Sequence, residues 1–148
     1  MDKRQRIHSN ASPAIKALAM NHTILLIEDN EQNRYLATFL LEQHGHKVVS
    51  AKDGPNGIML AQTLNPDLIL LDIQLPLMDG YAVARLLRNI DSLRNTPIIA
   101  VTSYAMVGDR EKSLASGCNE YIEKPINPNT FVTEIERFLI SQPKTGYP

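Results

Sequence analysis

The chain has 148 residues, 43% hydrophobic and 21% charged, with 15 Lys and Arg against 16 Asp and Glu. That length fits one ordinary domain with a core that needs no staples, and a formal charge of −1 argues against nucleic-acid binding by bulk electrostatics. No apolar run nears the roughly 18 residues of a membrane span, and a lone cysteine, Cys118, excludes an internal disulfide and a Cys-based zinc site. The expectation is a single-domain protein of a reducing compartment, the cytoplasm, with no membrane contact.

Residues 1–22 carry Lys3, Arg4, Arg6 and Lys16 against Asp2, which leaves residues 23–148 with 11 basic and 15 acidic side chains. They lack strict apolar periodicity, although Ile15, Leu18 and Ala19 could form one helical turn, and they lack the apolar region of a secretory signal. They read as a flexible tail, or as sequence upstream of a true start at Met20. The folded domain is expected over residues 23–141, with a short tail at 142–148.

From Thr23 onward strand and helix patterns alternate. Thr23 to Ile27 is an apolar run of strand length, closed by Glu28-Asp29-Asn30. Tyr35, Leu36, Phe39 and Leu40 then recur at helical spacing, and Gly45 supplies a stop. Lys47 to Ala51 is a short strand before the Gly54-Pro55 break. Ile58, Leu60, Ala61 and Leu64 suit a helix ended by Asn65-Pro66. Leu68 to Leu71 is a second fully apolar strand, ending in Asp72. Pro76 and Gly80 mark a loop before a helix whose Val83, Leu86 and Leu87 share a face. Pro97 to Val101 is a buried strand ending in Thr102. Residues 107–116 are helix-compatible with Gly117 as a C-cap, Glu120 to Glu123 form a fifth strand, and Phe131, Ile135, Phe138 and Leu139 mark the last helix.

This is a strand–helix unit five times over. Strands that are unbroken apolar runs are buried on both faces, so the sheet should be parallel. Right-handed crossovers leave few topologies for an α/β, doubly wound five-stranded sheet, of which the flavodoxin-like order 2-1-3-4-5 is common. Its ligand crevice lies at the carboxyl ends of strands 1 and 3, where the winding reverses.

That edge is where the polar residues fall. Strand 1 ends in Glu28-Asp29, strand 3 in Asp72, strand 4 in Thr102-Ser103 and strand 5 in Lys124-Pro125. Three converging carboxylates repel one another unless protonated or bridged by a cation. An oxygen-only cluster without His or Cys suits Mg²⁺. A lysine opposite supplies a point charge for phosphate, and a neighbouring hydroxyl can donate to a phosphoryl oxygen. The set fits a carboxylate nucleophile that accepts a phosphoryl group.

The segments Ile27-Glu-Asp-Asn30, Leu71-Asp-Ile-Gln-Leu-Pro-Leu-Met-Asp-Gly80, Val101-Thr-Ser103 and Glu123-Lys-Pro125 resemble the receiver domain of two-component response regulators. The likeness runs from residue 23 to about 140 and is strongest to single-domain, DivK-like regulators. It implies that Asp72 is the phosphoacceptor, and that Glu28 and Asp29 hold Mg²⁺ with it and with the Gln74 backbone carbonyl. It implies that Thr102 and Lys124 contact the phosphoryl group, that Tyr121 is the switch aromatic, and that the peptide before Pro125 is cis. Gln74 and Tyr104 would flank the approach of water and tune the lifetime of the phosphoryl group. The donor would be a histidine kinase or a histidine phosphotransfer protein. With 23 residues after Pro125, the expected output is protein contact through the helix 4, strand 5, helix 5 face, or onward relay, without direct DNA binding.

Each residue has a plainer reading. Asp29 or Asn30 can cap a helix, Thr102 can end a strand, Lys124 can be a solvated charge, and Tyr121 can simply pack. Four matches at four strand ends on one edge make the functional reading the stronger. His8, His22, His44 and His46 read as solvated surface, and Cys118 as a small buried filler. An aspartate-nucleophile phosphatase of the haloacid dehalogenase kind is the enzymatic alternative. It would need an Asp-x-Asp on the first strand, whereas Asp72 lies on the third and is followed by Ile73 and Gln74. A pseudo-receiver that binds partners unphosphorylated is the other alternative. The expectation is no enzymatic activity beyond the protein's own phosphoryl transfer and slow self-dephosphorylation.

Overall fold

Strands β1 (Thr23–Ile27), β2 (Lys47–Ala51), β3 (Leu68–Asp72), β4 (Ile98–Thr102) and β5 (Glu120–Glu123) pair in parallel in the order β2-β1-β3-β4-β5. This computed structural model describes residues 21–103 and 107–140. The expected tail at residues 1–20, Tyr104 and the expected tail at 142–148 lie outside the described residues. The central strands β3 and β4 are buried along their whole length, whereas β2 and β5 at the edges are only partly covered. That difference follows from sequence: LILLD and IIAVT are apolar on both faces, while KVVSA and EYIE are not.

Successive side chains of a strand face opposite sides, which builds two cores. Ile24, Leu26, Leu68, Leu70, Ile99 and Val101 meet helices α1 (Glu31–Gln43) and α5 (Phe131–Ile140) on one side. Leu25, Ile27, Ile69, Leu71, Ile98 and Ala100 meet α2 (Gly54–Leu64) and α3 (Gly80–Arg88) on the other. Helix α4 (Asp109–Ala115) follows β4 and precedes β5. The side chains of Asn30, Asp53 and Asp79 cap α1, α2 and α3 by accepting from the backbone N–H three residues on. Asn65, in the left-handed region at φ 46°, ends α2, as its position before Pro66 predicts.

Arg88, in the last turn of α3, ties that helix to its surroundings. It donates to the carbonyls of Gly117, Leu93, Arg94 and Thr96 and to Asn119 Oδ1. Cys118 is buried beside this region, and burial pushes its thiol up to about 11, in keeping with an inert filler.

The structure corrects three sequence expectations. Tyr35 and Phe39 do not face the core: they are exposed and stack on each other with centroids 6.2 Å apart, while Ala37, Leu40 and Leu41 are buried. Leu86 is exposed beside the buried Val83 and Leu87. His22 and His46 are not solvated surface, because each is only 3% exposed. His46 Nε2 lies 2.8 Å from Glu136 Oε2 of α5, so the start of β2 is held against the last helix. His44 is exposed as expected, with Nδ1 3.0 Å from the Leu40 carbonyl, and His8 lies outside the described residues.

Candidate phosphoryl-acceptor site

Four strand ends deliver the site. Past β1, Glu28 N–H donates to the Ala51 carbonyl at 2.9 Å, so the chain stays in register for one more residue before turning into α1. Arg34 then donates to the carbonyls of Glu28 and Asp29 at 2.9 and 2.8 Å, holding the acidic turn in shape. Asp72 ends β3, Thr102 ends β4, and Lys124 follows β5 with its N–H donating to the Thr102 carbonyl at 2.8 Å. The Lys124-Pro125 peptide is cis, as the resemblance implies.

The loop after β3 is fixed closely. Ile73 N–H donates to the Val101 carbonyl at 3.1 Å, which extends the β3–β4 ladder past Asp72. Gly80 N–H donates back to the Ile73 carbonyl at 2.8 Å. A Cβ at Gly80 would lie 2.5 Å from Ile73 Cα and 2.6 Å from the Asp72 carbonyl oxygen, so only glycine permits this approach.

The side chains converge as the strand ends predict. Glu28 and Asp72 are buried at 4% and 3% exposure, while Asp29 is exposed. Carboxylate oxygens of Glu28, Asp29 and Asp72 lie within 4.8 Å of one another. Lys124 Nζ stands 2.7 Å from Glu28 Oε1 and 3.3 Å from Asp72 Oδ2. Asp72 Oδ1 accepts from Gln74 N–H at 2.9 Å, and Glu28 Oε2 accepts from Asn30 N–H at 3.1 Å. Burial, then the hydrogen bond with the Glu28 carboxyl, pushes Asp72 up from its ordinary 3.8 to about 7, against the pull of Lys124. A cation among these oxygens would reverse that shift. The all-oxygen donor set, with one exposed acid open to water, fits Mg²⁺.

Thr102 is buried at 2% exposure, and its Oγ1 accepts from the Gln74 side-chain amide at 3.3 Å. Tyr121 is half-buried on β5 and lines an open hollow of about 690 Å³ with Val107, Arg110, Glu123, Phe131 and Glu134. The hollow lies where α4, β5 and α5 meet. Burial raises the Tyr121 hydroxyl, followed by the charge of Glu123.

Sequence reasoning assembled the acids, the hydroxyl and the lysine. It missed Arg34, whose only signal is a position four residues after Asn30. It also missed the pairing of Lys124 with Glu28 and the bond from Gln74 to Thr102, which depend on strand order and side-chain rotamers. No helix among the described residues is long and apolar enough to cross a membrane.

Comparison with known proteins identifies the family. The family model for the response regulator receiver domain matches residues 24–136. The polar-differentiation response regulators DivK of Brucella anthropi and Brucella ovis are 41% and 40% identical over 120 residues, which is 81% of this chain and 98% of theirs. Among solved structures, the chemotaxis response regulator CheY4 of Vibrio cholerae superposes with a TM-score of 0.76 at 25% identity, covering 80% of this chain and 99% of that one. The receiver domain of the sensor histidine kinase PA1611 from Pseudomonas aeruginosa, solved with a magnesium ion coordinated in its active site cleft, does so with 0.72 at 36% identity, covering 82% and 97%. Fold, strand-end chemistry and likeness agree, and the chain belongs to the response regulator receiver domain family.

Proposed function

We propose that this chain accepts a phosphoryl group from a phosphohistidine donor onto Asp72 and signals through protein contact or onward relay. The observation that carries the reading is the placement of Asp72, buried at the crevice edge between two further acids and Lys124. One Asp72 oxygen attacks phosphorus in line, the P–N bond to the donor imidazole breaks, and an acyl phosphate remains on Asp72. Glu28, Asp29, Asp72 and the Gln74 carbonyl would hold Mg²⁺, which when bound would supply neutralising charge for the phosphoryl oxygens. Lys124 favours the ionised form of Asp72, which is the one that attacks, and then pairs with the phosphoryl group. Thr102 donates its hydroxyl to a phosphoryl oxygen.

The phosphoryl group carries about −1.5 to −2 charges in place of the single charge of the ionised carboxylate, which draws Thr102 toward it and lets Tyr121 turn inward. The hollow between α4, β5 and α5 then changes shape for a downstream protein target. The donor is a histidine kinase or a histidine phosphotransfer protein, and the setting is the cytoplasm. A bulky aromatic such as Tyr104 is better suited to shielding an acyl phosphate than to activating water, which favours slow self-dephosphorylation.

The test is incubation with acetyl phosphate and Mg²⁺ followed by intact mass. A gain of one phosphoryl group that Asp72→Asn abolishes supports the reading. Sustained turnover of phosphate esters would replace it with the phosphatase, and an unchanged mass with an unphosphorylated binding module.

A further inference from the structure

Gln74 has its backbone held twice over. Its N–H is bound to Asp72 Oδ1 at 2.9 Å, and the preceding residue is locked into the β3–β4 ladder and against Gly80. Ile73 and Gln74 bend away from the strand after Asp72, and the turn closed on the Asp72 carboxylate brings Gln74 back beside it. From that fixed stem its amide reaches across to β4 and donates to Thr102 Oγ1 at 3.3 Å. Thr102 is the hydroxyl that phosphorylation must recruit under the reading above. Thr102 is 2% exposed, so water has little access to compete for it.

We infer that the Gln74 side chain is a positioning residue, a tether that holds the Thr102 hydroxyl in its resting place until a phosphoryl group draws it away. A neutral amide suits this task. Its hydrogen bond to a hydroxyl is worth about 1 kcal/mol net, whereas a charged acceptor makes roughly twice as strong a bond. The tether therefore favours the resting state and yields to the phosphorylated one. The same amide, once released, has two N–H donors free to turn toward the phosphoryl oxygens. A carboxylate here would add a fourth acid to a crowded crevice, and an aliphatic side chain would remove the amide's share in holding Thr102. This inference rests on Asp72 being the acceptor, but its first test does not.

The tether is read first in the unphosphorylated protein, from the side-chain χ1 couplings of Thr102 by NMR. The expected result is one dominant rotamer in wild type and a measurable shift of population to the others in Gln74→Met, which keeps the length and loses the amide. A single unchanged rotamer in both overturns the tether, whatever becomes of phosphorylation. The second reading is titration with beryllofluoride and Mg²⁺ as a phosphoryl mimic. Gln74→Met should take up the mimic about five-fold more tightly, the equivalent of one hydrogen bond of the usual strength. In a Thr102→Val background the same substitution should change nothing, because the partner is already gone. Equal or weaker uptake by Gln74→Met, or the same gain in both backgrounds, overturns the inference. Failure of wild type to take up the mimic, with the rotamer result intact, counts against the acceptor reading and leaves the tether standing.

Discussion

Lys124 and Glu28 meet across the full crevice, with Nζ 2.7 Å from Oε1, although β5 and β1 are separated in the sheet by β4 and β3. A long flexible cation on the outer strand is what spans that gap. The pair is largely buried, at 10% and 5% side-chain exposure. Removing one member of such a pair leaves an uncompensated charge, which costs more than the pair is worth. Lys124→Met, which keeps the stem, should therefore destabilise the metal-free protein by about 3 kcal/mol at pH 8. Mg²⁺ should recover part of that loss. Urea midpoints with and without Mg²⁺ check it, and an identical loss in both conditions would contradict the pairing.

Asp72 carries a second consequence. Its carboxyl titrates near 7 in the fold against 3.8 for an ordinary aspartate. Between those values the native state holds a proton that the unfolded chain has released, so stability falls as pH rises from about 4 to about 7. The contribution is fully present below the lower value and lost above the higher. Three pKa units set an upper limit of about 4 kcal/mol. Asp72→Asn should lack this fall, so its advantage over wild type should grow through that window in metal-free buffer. Parallel stability curves for the two proteins from pH 4 to 8 would refute the shift.

Metal binding divides the acids by exposure. Asp29 is exposed and unencumbered by Lys124, so it is the acid best placed to ligate an incoming ion. Asp29→Ala should weaken Mg²⁺ affinity about ten-fold or more, a loss that even outer-sphere changes reach. Calorimetric titration measures it, and unchanged affinity removes Asp29 from the site.

Arg88 tests the scaffold rather than the chemistry. Lysine cannot reproduce the fork that serves four carbonyls and Asn119. Arg88→Lys should cost about 2 kcal/mol by leaving part-buried carbonyls unpaired. Thermal unfolding checks this, with phosphorylation by acetyl phosphate expected to persist at temperatures where the variant is folded.

Tyr104 governs the lifetime prediction. If its ring shields the acyl phosphate, Tyr104→Ala should lose the phosphoryl group faster than wild type in a decay time course. An unchanged or slower rate rejects shielding in favour of water held by Gln74.

Much of this protein is written locally. Unbroken runs such as Leu68 to Leu71 and Ile98 to Val101 have no way to be satisfied except by burial on both faces, so they read directly as central parallel strands. Chain-order rules then put every strand's carboxyl end on one edge, and the polar residue closing each run becomes a candidate site residue without any knowledge of contacts. Asp72, Thr102 and Lys124 were legible for that reason. Helix faces were less so. Tyr35 and Phe39 have the helical period of a core stripe, and periodicity alone does not say which side of α1 the sheet occupies.

What only the tertiary structure decided involves partners distant in sequence. His46, between Gly45 and Lys47, has every local mark of a surface turn, yet it is buried and pairs with Glu136 of the last helix, 90 residues on. The reach of Lys124 to Glu28 and of Gln74 to Thr102 belongs to the same class. A strand's own residues specify where it ends and what chemistry stands there. Which of those groups touch is set by sheet order and by rotamers chosen in a packed interior, and these are properties of the whole fold.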